Sequence, residues 1–187
     1  LSGGLDSHVL LHLLSQLENL ETRVIYVNHG LHKDNDDWET HCQQQCDNLQ
    51  RPLMIERLNL KPKPGDSLEA VARAARYDAF AKHLNPGQHL ITAHHEDDQA
   101  ETALLQLFRG AGIKGLSAMP ASKIFKNGFH TRPLLGETRD TILAYAQKHH
   151  LQWVEDQSNL DTQHDRNFLR HDILPTLKKR WPALSKT

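Results

Sequence analysis

The sequence predicts an α/β fold, in which a doubly wound, mostly parallel sheet carries helices on both faces and a short helical extension follows at the C-terminus. Short apolar runs typical of buried strands alternate with longer runs of helical periodicity, the pattern of a helix-covered parallel sheet. A glycine-rich turn opens the chain ahead of the first helical run, and such turns normally follow a buried strand. We therefore expect a strand ahead of residue 1, and a longer parent chain.

Each element is predicted from the spacing of apolar residues in its run. Apolar residues at every third or fourth position indicate a helix, and short, wholly apolar or β-branched runs indicate a strand. In chain order the predicted elements are a helix over 10–17, a strand over 24–27, a helix over 35–49, a strand over 53–60, a helix after 66, a strand over 90–93, a helix from 94–98 to 109, a strand over 129–135, a helix over 138–150 and helical turns around 168–169 and 173–174.

Two of these helices have predicted boundaries or buried faces. Asp66 and Glu69 have the spacing of an N-cap and its capping-box partner, which predicts the start of the helix after residue 66. The apolar residues expected to be buried are Ala70, Val71, Ala74, Ala75 and Phe80 in that helix, and Ile142, Leu143 and Ala146 in the helix over 138–150.

Composition excludes several classes of protein. With 38% hydrophobic and 24% charged residues the chain is an ordinary globular sequence, and no apolar run approaches the roughly 18 residues of a membrane span. We expect no membrane association, and without a signal-peptide pattern the cytoplasm is the default compartment. Cys42 and Cys46 are too few for a disulfide framework, and on one helix face they indicate buried core thiols. The net charge of −1 argues against a non-specific nucleic-acid binder.

The first candidate site is the turn that opens the chain. Successive glycines let the backbone bring amide hydrogens close to a ligand, and the N-terminus of the following helix favours an anion such as phosphate. A glycine pair alone is weak support, because many such turns only connect elements. The six residues together are more specific, with hydroxyls to bind phosphate and a carboxylate to hold a magnesium ion. They are Ser2, Gly3, Gly4, Leu5, Asp6 and Ser7.

The second candidate site follows the strand over 90–93. His94 and His95 precede Asp97 and Asp98 at the start of a helix, where acidic residues also serve as ordinary capping groups. Asp98 is the candidate for a second magnesium carboxylate, opposite Asp6 across the sheet. A zinc site of His94, His95 and Asp98 is the less favoured alternative.

These motifs resemble a known family. The opening turn is similar to the SGGxDS pyrophosphate loop of the N-type ATP pyrophosphatases, and it lacks the lysine and spacing of a Walker A loop. Further segments resemble the catalytic domain of tRNA(Ile)-lysidine synthetases in the family's order. These segments are residues 27–31, 69–77, 95–102, 109–112, 132–135, 155–159 and 165–170, and Pro175.

The resemblance implies a fold and an activity. The fold is that of the adenine nucleotide alpha hydrolases, with a PP-loop ATP-binding catalytic domain over 1–150 that lacks its first strand, and a polar loop and C-terminal helix over 151–187 leading toward tRNA-binding domains. The activity is ligation: the wobble cytidine of tRNA(Ile) is adenylylated by ATP, and free L-lysine then displaces AMP. ATP and Mg²⁺ are the implied cofactors. The oligomeric state stays open, with a homodimer as one alternative.

Roles for individual residues follow from the same resemblance. Residues 2–7 are implied to bind the departing pyrophosphate, and Asp6 and Asp98 to be catalytic and to hold magnesium. A histidine, His94 or His95, is a candidate base for the lysine amine, with a structural histidine as the alternative; the remaining histidines are expected on the surface. Candidate substrate or nucleotide contacts, each alternatively a surface or ion-pairing residue, are Arg73, His94, His95, Arg109, Arg166, Asn167 and Arg170.

Other functions remain open at this stage. A tRNA thiolase shares the pyrophosphate loop, although many such enzymes carry CxxC pairs rather than the CxxxC spacing of Cys42 and Cys46. A passive ATP-binding module is a second alternative, but it has no need of a second carboxylate at Asp98. A chain that is inactive without its flanking segments is a third.

Overall fold

The fold was described from a computed structural model, which covers residues 1–31, 34–63 and 65–184. Helices and strands alternate through most of the chain, as the apolar pattern predicts. The elements are α1 (Leu5–Ser15), β1 (Val24–Asn28), α2 (Asn35–Asn48), β2 (Leu53–Arg57), α3 (Leu68–Lys82), β3 (His89–Ile91), α4 (Glu96–Phe108), α5 (Ile113–Leu116), β4 (Ser122–Phe125), β5 (Gly128–Thr131), α6 (Arg139–Lys148), a 3-10 turn (Gln157–Leu160), α7 (Asp165–Phe168), a π-helical turn (Leu169–Ile173) and α8 (Leu174–Arg180).

The strands form a mostly parallel arrangement. β1 pairs with β2 in parallel, with Val24 opposite Leu53, and β3 pairs with β5 in parallel, with His89 opposite Phe129. β4 is antiparallel to β5. Helices connect the parallel strands, so the predicted α/β class is confirmed.

A cavity of about 720 Å³ separates β1 from β3. Its apolar lining comes from α1 and from both strands, and includes Leu11, Val24 and Leu90. Its polar lining includes the opening turn and the loop after β3. The backbone nitrogen of Leu1 donates a hydrogen bond to the carbonyl oxygen of Ile25, 2.8 Å away, which holds the opening turn beside β1. The cavity therefore connects the two candidate sites.

The main core lies where α1 packs on α6. Thr138 caps α6 by accepting a hydrogen bond from the backbone N–H of Thr141 (3.1 Å), and this fixes where the helix begins. As predicted, Ile142 and Ala146 face inward, and Leu143 packs against this core. The buried members are Leu5, Val9, Leu10, Leu134, Ile142 and Ala146.

The prediction for α3 was wrong in two respects. Its N-cap is Ser67, whose hydroxyl accepts from Ala70 N–H, whereas the Asp66 carboxylate turns back to accept from Lys63 N–H at 3.0 Å. Its only fully buried residue among those described is Ala79. Ala70 and Ala74 are exposed, because the helix contacts the sheet along a narrower face than its alanine content suggested.

The strand predicted over 129–135 covers only Gly128–Thr131, and the antiparallel strand β4 that pairs with it was not predicted. β4 and β5 are joined by a two-residue turn at Lys126 and Asn127. Gly128 opens β5 at a point where a Cβ atom would lie 2.2 Å from the carbonyl oxygen of Gln88, so only glycine fits. The strand predicted over 53–60 likewise ends at Arg57.

The C-terminal extension is helical, as predicted. Residues 165–180 run through α7, the π-helical turn and α8, and Leu169 and Leu174 anchor them with 2% and 3% exposure. Pro175 lacks an N–H and cannot donate to the preceding turn, which accounts for the π-helical turn just before it. No helix in the described residues is long and apolar enough to cross a membrane.

Candidate active site

The opening turn forms a cradle of backbone N–H groups at the N-terminus of α1. Gly3 has φ +88°, a conformation that favours glycine, and the N-cap Gly4 offers no side chain to satisfy the first amides of the helix. The Ser7 hydroxyl donates to Gly4 O at 2.9 Å and lies 3.1 Å from the Ser2 hydroxyl. Leu5 is buried in the core and contributes only its backbone. The turn therefore combines backbone N–H groups with the positive end of a helix, the two features that bind a phosphate.

Asp6 has the chemistry of a metal ligand. Its Oδ1 atom is buried and has no hydrogen-bond partner among the described residues. Its Oδ2 atom lies 3.6 Å from Nε2 of His95. A buried carboxylate oxygen without a partner is costly, and a divalent cation would satisfy it. Asp6 therefore fits the magnesium role that the sequence suggested.

Both carboxylate oxygens of Asp98 have hydrogen-bond partners. One oxygen accepts from the backbone N–H of His95 (3.0 Å), and completes a capping box at the start of α4. The other lies 3.3 Å from an Arg166 nitrogen and 3.2 Å from an Arg170 nitrogen. A cation at Asp98 has to share this carboxylate with the two guanidinium groups. Asp98 thus has a structural role besides any role in metal binding.

His95 lies between the two aspartates, with its Nε2 3.6 Å from Asp6 and 3.6 Å from Asp98. Its Nδ1 accepts from the backbone N–H of Asp97 (3.2 Å), so Nε2 carries the ring proton and points toward the carboxylates. Burial lowers the pKa of His95, but the hydrogen bond to Asp6 and the charges of Asp98 and Asp6 outweigh it, and the pKa is raised above its usual value.

Glu101 was missed as a site residue. It is fully buried and accepts from Arg166 Nε and Arg170 Nε, each at 2.6 Å, and from a second Arg170 nitrogen at 3.0 Å. Since Glu101 follows Asp98 by three residues, both carboxylates lie on one face of α4. Arg166 and Arg170 are four residues apart and therefore reach this face together. The network ties the C-terminal helix to the candidate site.

His94 belongs to a chain of hydrogen bonds that begins at a buried arginine. A nitrogen of Arg132 donates to Nδ1 of His130 (3.0 Å), whose Nε2 lies 2.9 Å from the Thr92 hydroxyl. That hydroxyl lies 2.7 Å from Nδ1 of His94. Because a guanidinium only donates, every proton in the chain points toward His94, whose Nδ1 accepts and whose Nε2 carries the ring proton. Burial, followed by the charge of Arg132, lowers the pKa of His94 and of His130 to about 3.

Three predicted site residues remain, and each has different surroundings. Arg73 is exposed, 5.2 Å from the ring centre of Tyr77. Asn167 donates to Ser158 O (3.0 Å) and Asp161 O (2.9 Å), and so holds the polar loop. Arg109 is exposed at the far end of α4, roughly 16 Å along the helix axis from Asp98.

The structure contradicts the less favoured zinc alternative and one prediction about the histidines. His94, His95 and Asp98 do not form a zinc site, because residues 1–31, 34–63 and 65–184 contain no group of three or more side chains placed to hold a metal. The remaining histidines are not all on the surface: His8 and His130 are 4% and 0% exposed. Burial lowers the pKa of His8 to about 4. By contrast, Cys42 and Cys46 are buried free thiols, as predicted.

A backbone phosphate cradle with a metal-ready carboxylate beside it is the arrangement expected of a nucleotide-binding domain of the PP-loop class. The sequence pattern of the PP-loop domain matches residues 1–177, and the chain belongs to this family.

Within this family, the chain is most informatively compared with relatives that share one named activity. The chain is 53% identical to the tRNA(Ile)-lysidine synthase of Coxiella burnetii over 98% of its own length, and 51% identical to those of Nitrosomonas europaea and Pseudomonas aeruginosa over 100% and 97%. It spans 41–42% of the length of these three relatives. Among solved structures, the U34-tRNA thiolase NcsA from Methanococcus maripaludis with its [4Fe-4S] cluster matches with a TM-score of 0.79. That match has 21% identity and covers 100% of this chain and 67% of the other, so it shows the fold alone.

Proposed function

We propose that this chain is the ATP-dependent catalytic part of a tRNA(Ile)-lysidine synthase, which joins free lysine to the wobble cytidine of tRNA(Ile). The observation that carries the proposal is its identity of about half to three such synthases along nearly its whole length. The expected partners are tRNA(Ile) and L-lysine, and the expected compartment is the cytoplasm. The homodimer and the division at residue 150 remain predictions.

The proposed reaction makes a poor leaving group into a good one. The ring carbonyl oxygen of cytidine attacks the α-phosphorus of ATP, and the bond to pyrophosphate breaks. The ε-amine of lysine then attacks the activated ring carbon, AMP leaves with the ring oxygen, and the amine loses a proton. The amides of residues 2–7 would stabilise the charge that collects on the departing pyrophosphate, since they are oriented before the reaction begins.

Magnesium fits the carboxylate of Asp6, whose Oδ1 has no partner within the described residues. When bound, the ion neutralises phosphate charge and makes the α-phosphorus easier to attack. Asp6 would hold it, and Asp98 would complete the set if Arg166 and Arg170 yield one oxygen or share it. In this arrangement His95 keeps its ring proton between the two carboxylates and limits their repulsion.

We propose that neither histidine is the base for the lysine amine. Nδ1 of His94 accepts from Thr92, and Nδ1 of His95 accepts from Asp97 N–H. The other nitrogen of each ring carries a proton, so neither ring has a free lone pair. A pKa of about 3 also makes His94 a weak base at neutral pH.

The test uses the full-length protein with ATP, magnesium, radiolabelled lysine and unmodified tRNA(Ile). Lysine should enter the tRNA only when the wobble base is cytidine, and replacement of that base by uridine should abolish incorporation. Pyrophosphate release without lysine incorporation would point to another nucleophile, such as the sulfur donor of a thiolase. ATP binding without turnover would favour a passive module.

Variants test the site itself. Asp6→Asn and Asp98→Asn should each lower pyrophosphate release by at least about a hundredfold, because a metal carboxylate contributes several kcal/mol to the transition state. Asp78→Asn is the matched control, since Asp78 is exposed in the middle of α3. Near-normal release by Asp6→Asn, with unchanged circular dichroism, would overturn the site assignment.

A further inference from the structure

A second pocket, of about 280 Å³, lies beside the hairpin of β4 and β5. Three of its lining residues are cationic, two are aromatic and one is a histidine, and none is acidic. We call it the basic pocket; it is lined by Arg73, Tyr77, Lys123, Phe125, His130 and Arg132. A concave site with cations and aromatic rings but no carboxylate is suited to an anion attached to a flat, partly apolar group.

Arg132 shows that the positive charge is not balanced from within the fold. It is 5% exposed and donates to Pro120 O (2.8 Å) and to His130, but its Nε has no partner in the part of the chain that the structure describes. No carboxylate of the described residues forms an ion pair with Arg73, Lys123 or Arg132. A buried guanidinium without a counter-charge is costly, which favours an external anion in this pocket.

The aromatic side chains of the basic pocket indicate which kind of group the anion is attached to. The rings of Tyr77 and Phe125 meet edge to face, with centroids 5.8 Å apart, and His130 lies 5.6 Å from Tyr77. Arg73 stacks over the Tyr77 ring at 5.2 Å. Rings held in this way expose apolar surface against which a sugar or a nucleobase can pack, and the charge of Arg73 lies beside that surface, where it can meet a phosphate.

The pocket is linked to the candidate active site. The hydrogen-bond chain from Arg132 through His130 and Thr92 ends at His94, which lines the cavity that also contains Asp6. A free amino acid fits the basic pocket poorly, since its ammonium groups would meet cations and no carboxylate. A nucleotide fits better, because its phosphate can meet the cations and its sugar or base can meet the aromatic rings.

We infer that the basic pocket binds an RNA phosphodiester, with the attached nucleoside against Tyr77 and Phe125, and so positions the RNA whose base reacts next to Asp6. This inference rests on the proposed function, because it supposes an RNA substrate. It assigns Arg73, Lys123 and Arg132 to phosphate binding, and Phe125 to nucleoside contact.

The charge is tested by the affinity for unmodified tRNA(Ile) transcript, measured by filter binding at several salt concentrations with the full-length protein. Arg73→Gln/Lys123→Gln should weaken binding on the order of tenfold. It should also reduce the slope of log affinity against log salt by about one. Lys126→Gln/Arg139→Gln removes two exposed charges outside the pocket and is the control for net charge. Equal loss in both double variants would overturn the proposal.

The aromatic contact is tested separately. Phe125→Leu keeps every charge and should weaken tRNA binding by about fivefold at all salt concentrations, without a change in the salt slope. Both pocket variants should keep their circular dichroism, and Phe125→Leu should also keep its ATP affinity, since Phe125 does not line the cavity that contains the cradle. An unchanged tRNA affinity in Phe125→Leu and in the charge variant would refute the assignment.

Three further outcomes bear on the two proposals. A raised KM for lysine with unaltered tRNA affinity in Arg73→Gln/Lys123→Gln would assign the pocket to the amino acid and overturn the RNA assignment. Loss of tRNA affinity in a protein that incorporates no lysine would support the basic pocket while the ligase proposal fails. Absence of tRNA binding by the unaltered protein would refute the inference.

Discussion

Glutamine at position 101 would remove the charge that ties the C-terminal helix to α4 while keeping the shape of the side chain. Glu101 is fully buried and accepts three hydrogen bonds of 2.6–3.0 Å from Arg166 and Arg170. An amide in its place retains one acceptor oxygen and presents N–H donors to two guanidinium groups that only donate. The variant therefore leaves Asp98 as the counter-charge that the two cations share.

The expected loss follows from how exposed the arginines are. Removing one partner of a buried ion pair typically costs about 3–5 kcal/mol. The side chains of Arg166 and Arg170 remain 30% and 24% exposed, so water can partly replace the lost carboxylate. We therefore expect the lower end, about 3 kcal/mol of unfolding free energy. At about 2–4 °C per kcal/mol for a chain of this size, the melting temperature should fall by roughly 6–12 °C.

Thermal unfolding followed by far-ultraviolet circular dichroism measures this change. Glu18→Gln is the control, because Glu18 is exposed and the substitution should stay within about 0.5 kcal/mol. In a double-mutant cycle, Glu101→Gln combined with Arg170→Gln should cost less than the sum of the single variants, since the two side chains are in contact. A melting temperature for Glu101→Gln that equals that of Glu18→Gln would refute the account of the network.

Three further outcomes follow from burial and capping. The pKa of His94 and of His130 is lowered to about 3, whereas an unfolded histidine has a pKa of 6.5, so between these values the unfolded chain binds more protons than the folded one. The free energy of unfolding should therefore fall as the pH falls from 6.5 toward 3. In denaturant titrations, His130→Gln should make this fall shallower. Burial raises the pKa of Cys42 to about 12, so iodoacetamide at mildly alkaline pH should label it only after unfolding, and rapid labelling of the folded protein would contradict the burial. Ser67→Ala should lower the free energy of unfolding by about 1 kcal/mol, and Asp66→Ala should lower it by clearly less. The reverse order would show that Asp66 is the N-cap, as the sequence predicted.

Local features were predictable from the sequence, because neighbouring residues produce them. The cradle at Gly3 and Gly4 depends on a backbone conformation that glycine favours and on the helix that follows. The cap of α3 was displaced by one residue, since Asp66 and Ser67 are both good N-caps and only the tertiary structure selects between them. The hairpin was missed although Asn127 and Gly128 form a pair typical of hairpin turns.

Features that depend on distant contacts were not predictable. Arg166 and Glu101 are 65 residues apart in sequence, and no spacing rule links them. Acidic residues in the first turns of a helix ordinarily act as capping groups, whereas the structure buries Glu101 under two arginines. The burial of His130 was missed for the same reason, because it depends on β5 lying between β3 and β4.

The histidine pair after β3 shows how the fold can give two adjacent, identical residues different chemistry. His95 caps α4, and its proton lies between Asp6 and Asp98, whose charges raise its pKa. The neighbouring His94 ends a hydrogen-bond chain that starts at a buried arginine, and its pKa is lowered to about 3. His94 and His95 lie in the loop between β3 and α4, where one ring points toward the carboxylates and the other toward Thr92. Burial lowers the pKa of both rings, after which the carboxylates raise that of His95 and nearby arginines lower that of His94 further. The surroundings of each ring therefore decide its protonation, and the basic nitrogen of each ring accepts a hydrogen bond.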